Sequence, residues 1–236
     1  MIRKIFGTML LATVGTVGLN TPAMADWSGE GDLGMVVARG NTDTDTISAR
    51  LAVKKTQDRW EHNAGLAFLR STNAGVTSAE RFQLTGQSDY AIDEHSYYFG
   101  SLRYEDDKFS GFDYQSSATA GYGRKFIDTD VATLKAELGI GYRQTKLETF
   151  GSEGDAILRA AMNYTRNLTD TTSFSNDTLV ESGSNNTFAQ NITGLSVRIN
   201  DSMAMKVGFE VRYNSEVPVG LKSTDTITTL NLNYKF

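Results

Sequence analysis

The last eleven residues, Thr226 to Phe236, alternate without a break. Thr226, Thr228, Leu230, Leu232, Tyr234 and Phe236 fall on one parity, and Ile227, Thr229, Asn231, Asn233 and Lys235 on the other. A period of two places the two sets on opposite faces of a sheet. A mostly apolar face ending in aromatics, backed by a polar face, suits a wall with hydrocarbon outside and water inside. The last strand of a soluble sandwich would alternate in the same way, so the rest of the chain has to decide.

Other segments repeat the pattern. Met203, Met205, Val207, Phe209, Val211 and Tyr213 alternate with Ala204, Lys206, Gly208, Glu210 and Arg212, and Ala132 to Tyr142 alternates with Thr133 to Arg143. Charges lie on one face only in both, and the segments around Arg50 and Arg81 behave likewise; those near Asn176 and Asn191 are less regular. A mean hydropathy of −0.33 argues against a helical membrane protein but not against a barrel, in which only alternate residues meet lipid. There is no Cys, and the two Pro, Pro22 and Pro218, leave every candidate strand unbroken. The net charge of −5 supplies no basic stripe for nucleic acid.

Met1 to Ala25 has a basic tip at Arg3 and Lys4, an apolar stretch from Ile5 to Leu19, and Ala-Met-Ala before Asp26. This predicts a secretory signal peptide cleaved after Ala25, leaving residues 26–236 as one barrel domain. A retained membrane anchor fits less well, because Gly7, Thr8, Thr13, Gly15, Thr16 and Gly18 interrupt the stretch. An alternating strand that closes on a carboxyl-terminal Phe also resembles the signal that bacterial outer-membrane barrels present to their assembly machinery. Tyr234 and Phe236 are the candidate assembly signal.

Polar turns centred on Asp58, Asp93, Asp128, Asp170 and Asp201 recur at intervals of 35, 35, 42 and 31 residues, each the length of one hairpin. Between them lie longer segments rich in Gly, Ser, Thr and Asn: Gly40 to Asp45, Ser71 to Ser78, Asp106 to Asp113, Glu148 to Gly154, Ser182 to Asn186 and Asn214 to Ser223. Five short turns and six long loops predict an all-β fold, a transmembrane antiparallel up-and-down β-barrel of twelve strands. Short turns and both termini would then face the periplasm. Aromatics cluster towards both strand ends, as interfacial girdles require.

Trp27-Ser-Gly29-Glu-Gly31, Gly40-Asn41-Thr42-Asp43-Thr44, and Tyr98 through Asp107-Lys-Phe109-Ser-Gly111-Phe-Asp113-Tyr114 resemble the YdiY-like family of salt-induced outer membrane proteins. The resemblance covers essentially the whole mature chain. It implies an outer-membrane barrel of a Gram-negative bacterium and carries no catalytic or ligand-binding residues with it.

The residues themselves offer little for catalysis. His62 and His95 both fall near the short-turn end, away from the long loops, so a His-dependent hydrolase has no base where surface substrate would arrive. Asp43-Thr-Asp45 begins like a calcium loop but lacks the Gly and closing Glu. No catalytic, cofactor or metal residue is expected.

Parity instead picks out a charged lumen: Arg50, Lys54, Arg81, Arg103, Glu105, Lys135, Glu137, Arg143, Arg159, Lys206, Glu210 and Arg212, with Glu30, Asp32, Glu61, Asp89, Asp177, Glu181, Arg198 and Lys235 on the same face. Such walls either line a narrow water-filled pore or pair into a sealed interior. Inward glycines, among them Gly121, Gly123, Gly139 and Gly141, are expected to widen the lumen. The expectation is a small pore or stress-related envelope protein without enzymatic activity, in contact with outer-membrane lipid and lipopolysaccharide and with the barrel assembly machinery. A surface enzyme acting on lipid or peptide, and a structural or adhesive barrel, are the alternatives.

Overall fold

The computed structural model describes residues 27–38, 44–108, 112–147, 151–217 and 220–236; the expected signal segment and residues 40–43 lie outside them. Twelve strands follow one another: β1 Trp27–Ala38, β2 Thr44–Gln57, β3 Trp60–Asn73, β4 Val76–Ala91, β5 Ser96–Asp107, β6 Phe112–Asp128, β7 Ala132–Leu147, β8 Gly151–Asn167, β9 Thr172–Gly183, β10 Thr187–Arg198, β11 Met203–Asn214 and β12 Thr224–Lys235. Each pairs antiparallel with its sequence neighbours, and β12 returns to β1, so the sheet is a closed up-and-down barrel, as the hairpin count predicts.

The outer parity is apolar. Leu33, Leu102, Leu138, Ile140 and Leu158 are each 66–70% exposed. A belt of that kind all round a soluble protein would aggregate, whereas in hydrocarbon it is the wetted surface. No helix among the described residues is long and apolar enough to cross a membrane. Near the end that carries the Asp-centred turns, Trp60, Tyr90, Tyr98 and Tyr122 stand in register across β3 to β6. Their rings meet at 5.0 Å (Trp60 to Tyr90) and 6.3 Å (Tyr98 to Tyr122), which forms part of an aromatic girdle.

The irregular strands β9 and β10 have a specific explanation. Asn176, Thr178, Asn191 and Thr193 take the outward parity and bond one another in a closed ring. Asn176 Nδ2 donates to Asn191 Oδ1 (3.2 Å) and Thr193 Oγ1 (2.8 Å), and Asn191 Nδ2 donates to Asn176 Oδ1 (3.1 Å) and Thr178 Oγ1 (2.7 Å). Both hydroxyls donate back to the amide oxygens. With every donor used internally, the ring can face an apolar surround at little cost.

Two expectations about connections change. The turn chemistry sits beside most of the Asp residues rather than on them. Only Asp93 itself accepts backbone N–H groups, from His95 (2.8 Å) and Ser96 (2.7 Å), which hold its carboxyl below the usual Asp range. Thr129, Thr169 and Asn200 do so in the next three turns. More importantly, polar segments among the described residues are not all long loops. Ser71 to Ser78 is a tight hairpin turning on Ala74 and Gly75, at φ 50° and 79°, and β7 and β8 pair as far as Leu147 and Gly151. The ladder there runs six residues past the end of β9, where Gly183 pairs with Ile157. Polar residues on both faces signify strands projecting into water rather than loops. Nine residues separate β11 from β12.

The seam is held at the terminus. Gly29 and Phe236 exchange both backbone bonds, at 2.8 and 2.9 Å, and the Phe236 ring lies over Gly29, where a Cβ would come within 2.5 Å of it. Ser48 of β2 donates to Asn231 of β12 at 2.9 Å across Gly34, bridging the strand between them. Deleting Phe236, or substituting Gly29→Val, should lower the yield of heat-modifiable barrel on gels several-fold. An undiminished folded band in both variants would show that the seam closes without this contact.

Candidate functional site

The twelve charged residues singled out from parity all lie on the inner wall, and pairing is their rule. At the level of Arg103 one layer crosses the lumen. Arg212 of β11 donates to Glu105 of β5, on strands diametrically opposed in a ring of twelve. Arg81 of β4 reaches Glu210 of β11 at 2.8 Å. Arg103 bonds Glu105 at 3.2 Å and Glu181 of β9 at 2.9 Å, and Ser117 donates to the other Glu181 oxygen at 2.9 Å. Arg143, 1% exposed, donates to the Glu181 carbonyl at 3.3 Å and faces Asp155 at 3.4 Å. Four arginines meet four carboxylates, so the layer is formally neutral.

Phe188, fully buried, lies between the guanidinium groups of Arg103 (4.3 Å) and Arg212 (5.1 Å). A ring on which two planar cations stack fixes both forks towards their carboxylates. Parity alone did not mark Phe188, Tyr97 or Phe99 as lumen residues with a role, and Asp155, one residue past the segment Glu148 to Gly154 read as a loop, was not assigned to a face.

A second cluster lies nearer the Asp-turn end. Glu137 accepts from Arg159 (2.6 Å), Gln87 (2.7 Å) and the Tyr97 hydroxyl (2.9 Å), and Arg159 stacks on Phe99 at 4.7 Å. Here the glycines do the opposite of what sequence led us to expect. A Cβ at Gly123 would sit 2.3 Å from the Tyr97 ring, and one at Gly139 would sit 2.8 Å from that of Phe99. These glycines leave room for two rings to lie flat on β6 and β7, and so fill the lumen on that side instead of widening it. Lys54 and Lys135 approach Glu61 at 2.6 and 3.7 Å, and Lys206 approaches Asp32 at 3.7 Å. Arg50 faces the interior with no bonded partner among the described residues.

Space remains on the other side. A cavity of ≈630 Å³ runs from Glu30, Lys54 and Lys235 at the mouth up to Arg103 and Glu181 in the ionic layer. A second, of ≈340 Å³, shares Ala52, Gly65, Thr85, Gln87, Arg159 and Leu179 with it, so the two are one lumen. Neither His points into it: His62 is on the outer face, bonded to Ser88 at 2.8 Å and stacked on Trp60. No group of acids, His or Cys among the described residues is arranged to hold a metal ion.

An apolar outer wall around a polar, charge-paired lumen defines a closed twelve-stranded barrel of the outer-membrane type. Within that class, the chain belongs to the family described as Protein of unknown function, DUF481, whose profile matches residues 31–236. It is 30% identical over 224 residues to the uncharacterized protein YdiY of Escherichia coli (strain K12), covering 92% of this chain and 86% of that one. Among solved structures it is similar to the COG4313 outer membrane channel from Pseudomonas putida F1 (TM-score 0.52, 11% identity, 89% of this chain and 95% of that chain). It is also similar to the NanC porin (TM-score 0.51, 10% identity, 89% and 97%). At these identities the likeness is one of fold.

Removing one member of a dry ion pair strands the other. Arg212→Ala should therefore cost about 3–5 kcal/mol, read from urea unfolding of the barrel in lipid vesicles. Glu105→Ala/Arg212→Ala, which removes a matched pair, should cost less than the single substitution. Equal or greater loss in the double variant would mean that the layer is hydrated rather than dry.

Proposed function

We propose that this protein is an outer-membrane barrel of a Gram-negative envelope that acts as a narrow, ion-pair-gated pore for small hydrophilic solutes, without catalytic activity. The observation that carries the reading is the lumen itself: a cavity edged by charged and amide side chains that runs from one mouth to a single ionic layer. Eight-stranded barrels are filled by their side chains and 16 to 18 strands leave an open channel, so twelve strands with one constriction fit a gated passage. A layer of side chains can move aside, whereas a folded plug cannot do so without unfolding. The fold of the NanC porin and of the Pseudomonas putida channel supports this reading.

Lipid and lipopolysaccharide would contact the outer belt, and the terminal strand with Tyr234 and Phe236 would engage the assembly machinery. The complete neutralisation of the ionic layer favours a second reading, a sealed structural barrel. Single-channel recording in planar bilayers separates the two. Glu105→Ala/Arg212→Ala should raise conductance at least several-fold over the parent; a double variant that folds but passes no current would establish the sealed barrel.

Both termini are proposed to lie in the periplasm. The chain has no Cys, so introduced thiols report without background. Cys at Asn73 or Asn185 should label with an impermeant reagent on intact cells, and Cys at Asp93 or Asp170 only after the outer membrane is opened. The reverse pattern would invert the barrel.

A further inference from the structure

The carboxylates and the cations that line the lumen differ in how firmly they are held. Four carboxylates line the joined cavities, and each has an internal donor. Glu137 has Arg159, Gln87 and Tyr97; Glu181 has Arg103 and Ser117; Asp177 has Asn163 at 2.9 Å; and Glu30 has Asn233 at 3.4 Å. The cations are less well served. Neither Arg50 nor Lys235 has a side-chain partner among the described residues, although both line the lumen. Arg103, 7% exposed, forms part of the cavity wall with its Nε bonded to nothing.

A guanidinium without a carboxylate, such as that of Arg50, is costly in a confined lumen unless an acceptor arrives. A lumen whose acids are satisfied while two of its cations, Arg50 and Lys235, are not presents a positive potential near those two to whatever enters it. Around these cations the walls carry neutral hydrogen-bonding groups, Asn63, Thr85, Gln87 and Ser101, beside apolar ones such as Val53, Leu102 and Leu179.

We infer that the lumen binds a small hydroxylated organic anion, its carboxylate held by Arg50 and Arg103 and its hydroxyls by the amide and hydroxyl side chains between them. This rests on the pore reading for access to the site, and names the solute class that reading leaves open. Two planar guanidinium groups match the two oxygens of a carboxylate better than a single lysine would. The anion would also compete with Glu181 for Arg103, so that occupancy loosens the ionic layer beneath it.

Three probes with one six-carbon polyol chain test the charge alone: gluconate, sorbitol and N-methylglucamine. Isothermal titration into the refolded full-length mature barrel should show binding of gluconate and of neither other compound. Arg50→Gln should weaken gluconate by about tenfold or more, since a charge-assisted pair is lost. Arg50 has no partner to strand, so the variant should keep the parent's unfolding midpoint. In bilayers, Lys235→Gln should shift the reversal potential towards cations.

Equal binding of sorbitol, absence of gluconate binding, or an undisturbed gluconate affinity in a folded Arg50→Gln barrel would overturn the inference. Gluconate binding without any current would leave the anion site standing and remove the pore. Current without anion preference or gluconate binding would do the reverse.

Discussion

In hydrocarbon a backbone N–H or C=O without a partner costs several kcal/mol, roughly as much as a whole domain can spare for a few such groups. A sheet placed there cannot keep an edge, and the rest of this molecule follows from that. Twelve strands use all their inner ladders, and the only pairing that sequence adjacency does not supply is β1 with β12. That seam is zipped by fewer residue pairs than any other, which is why the bonds between Gly29 and Phe236 and the Ser48–Asn231 bridge across Gly34 matter. The carboxyl-terminal residue therefore closes the barrel physically, whatever else recognises it.

Closure creates the opposite problem inside. Alternation sends every second side chain into a confined lumen, where unpaired charge is expensive and ordinary apolar packing would have no channel to leave. The solution here is uneven. One half of the wall is filled by Tyr97 and Phe99 lying on glycines, one level is closed by arginines and carboxylates meeting across the diameter, and the remainder stays open. Aromatic rings under Arg103, Arg159 and Arg212 recur at each tight point. A stacked guanidinium keeps its in-plane donors free for carboxylates, so the rings set geometry and the acids set charge.

Much of this was legible in the chain because barrel physics is written with a period of two. Strand number, the inward set from Arg50 to Arg212 and the terminal strand all follow from parity and hairpin spacing. Loop length did not follow. Ser, Thr, Asn and Gly mark a segment wet on both sides, and a projecting hairpin is as wet as a loop, so composition cannot separate them. Glycine at inward positions was likewise ambiguous, since an absent Cβ makes room either for solvent or for a neighbouring ring. Which of the two occurs depends on β5 placing Tyr97 and Phe99 opposite Gly123 and Gly139, a register across strands that one sequence does not print. Asn176 and Asn191 looked like defects for the same reason: their partners, each other, lie fifteen residues away across a hairpin.

Pairing across the diameter also explains how a lumen can be both closed and poised. The contacts of Arg212 with Glu105, Arg81 with Glu210 and Arg103 with Glu181 join strands with no ladder between them, so separating Arg212 from Glu105 breaks no backbone bond and leaves the wall intact. Two of the four carboxylates in the layer touch more than one arginine: Glu105 meets Arg103 and Arg212, and Glu210 meets Arg81 and Arg212. A fork that leaves one acid therefore strands it only partly. A rigid wall with exchangeable partners inside lets side chains rearrange at far less cost than any movement of strands, which places the capacity for change in the side-chain layer and the permanence in the sheet.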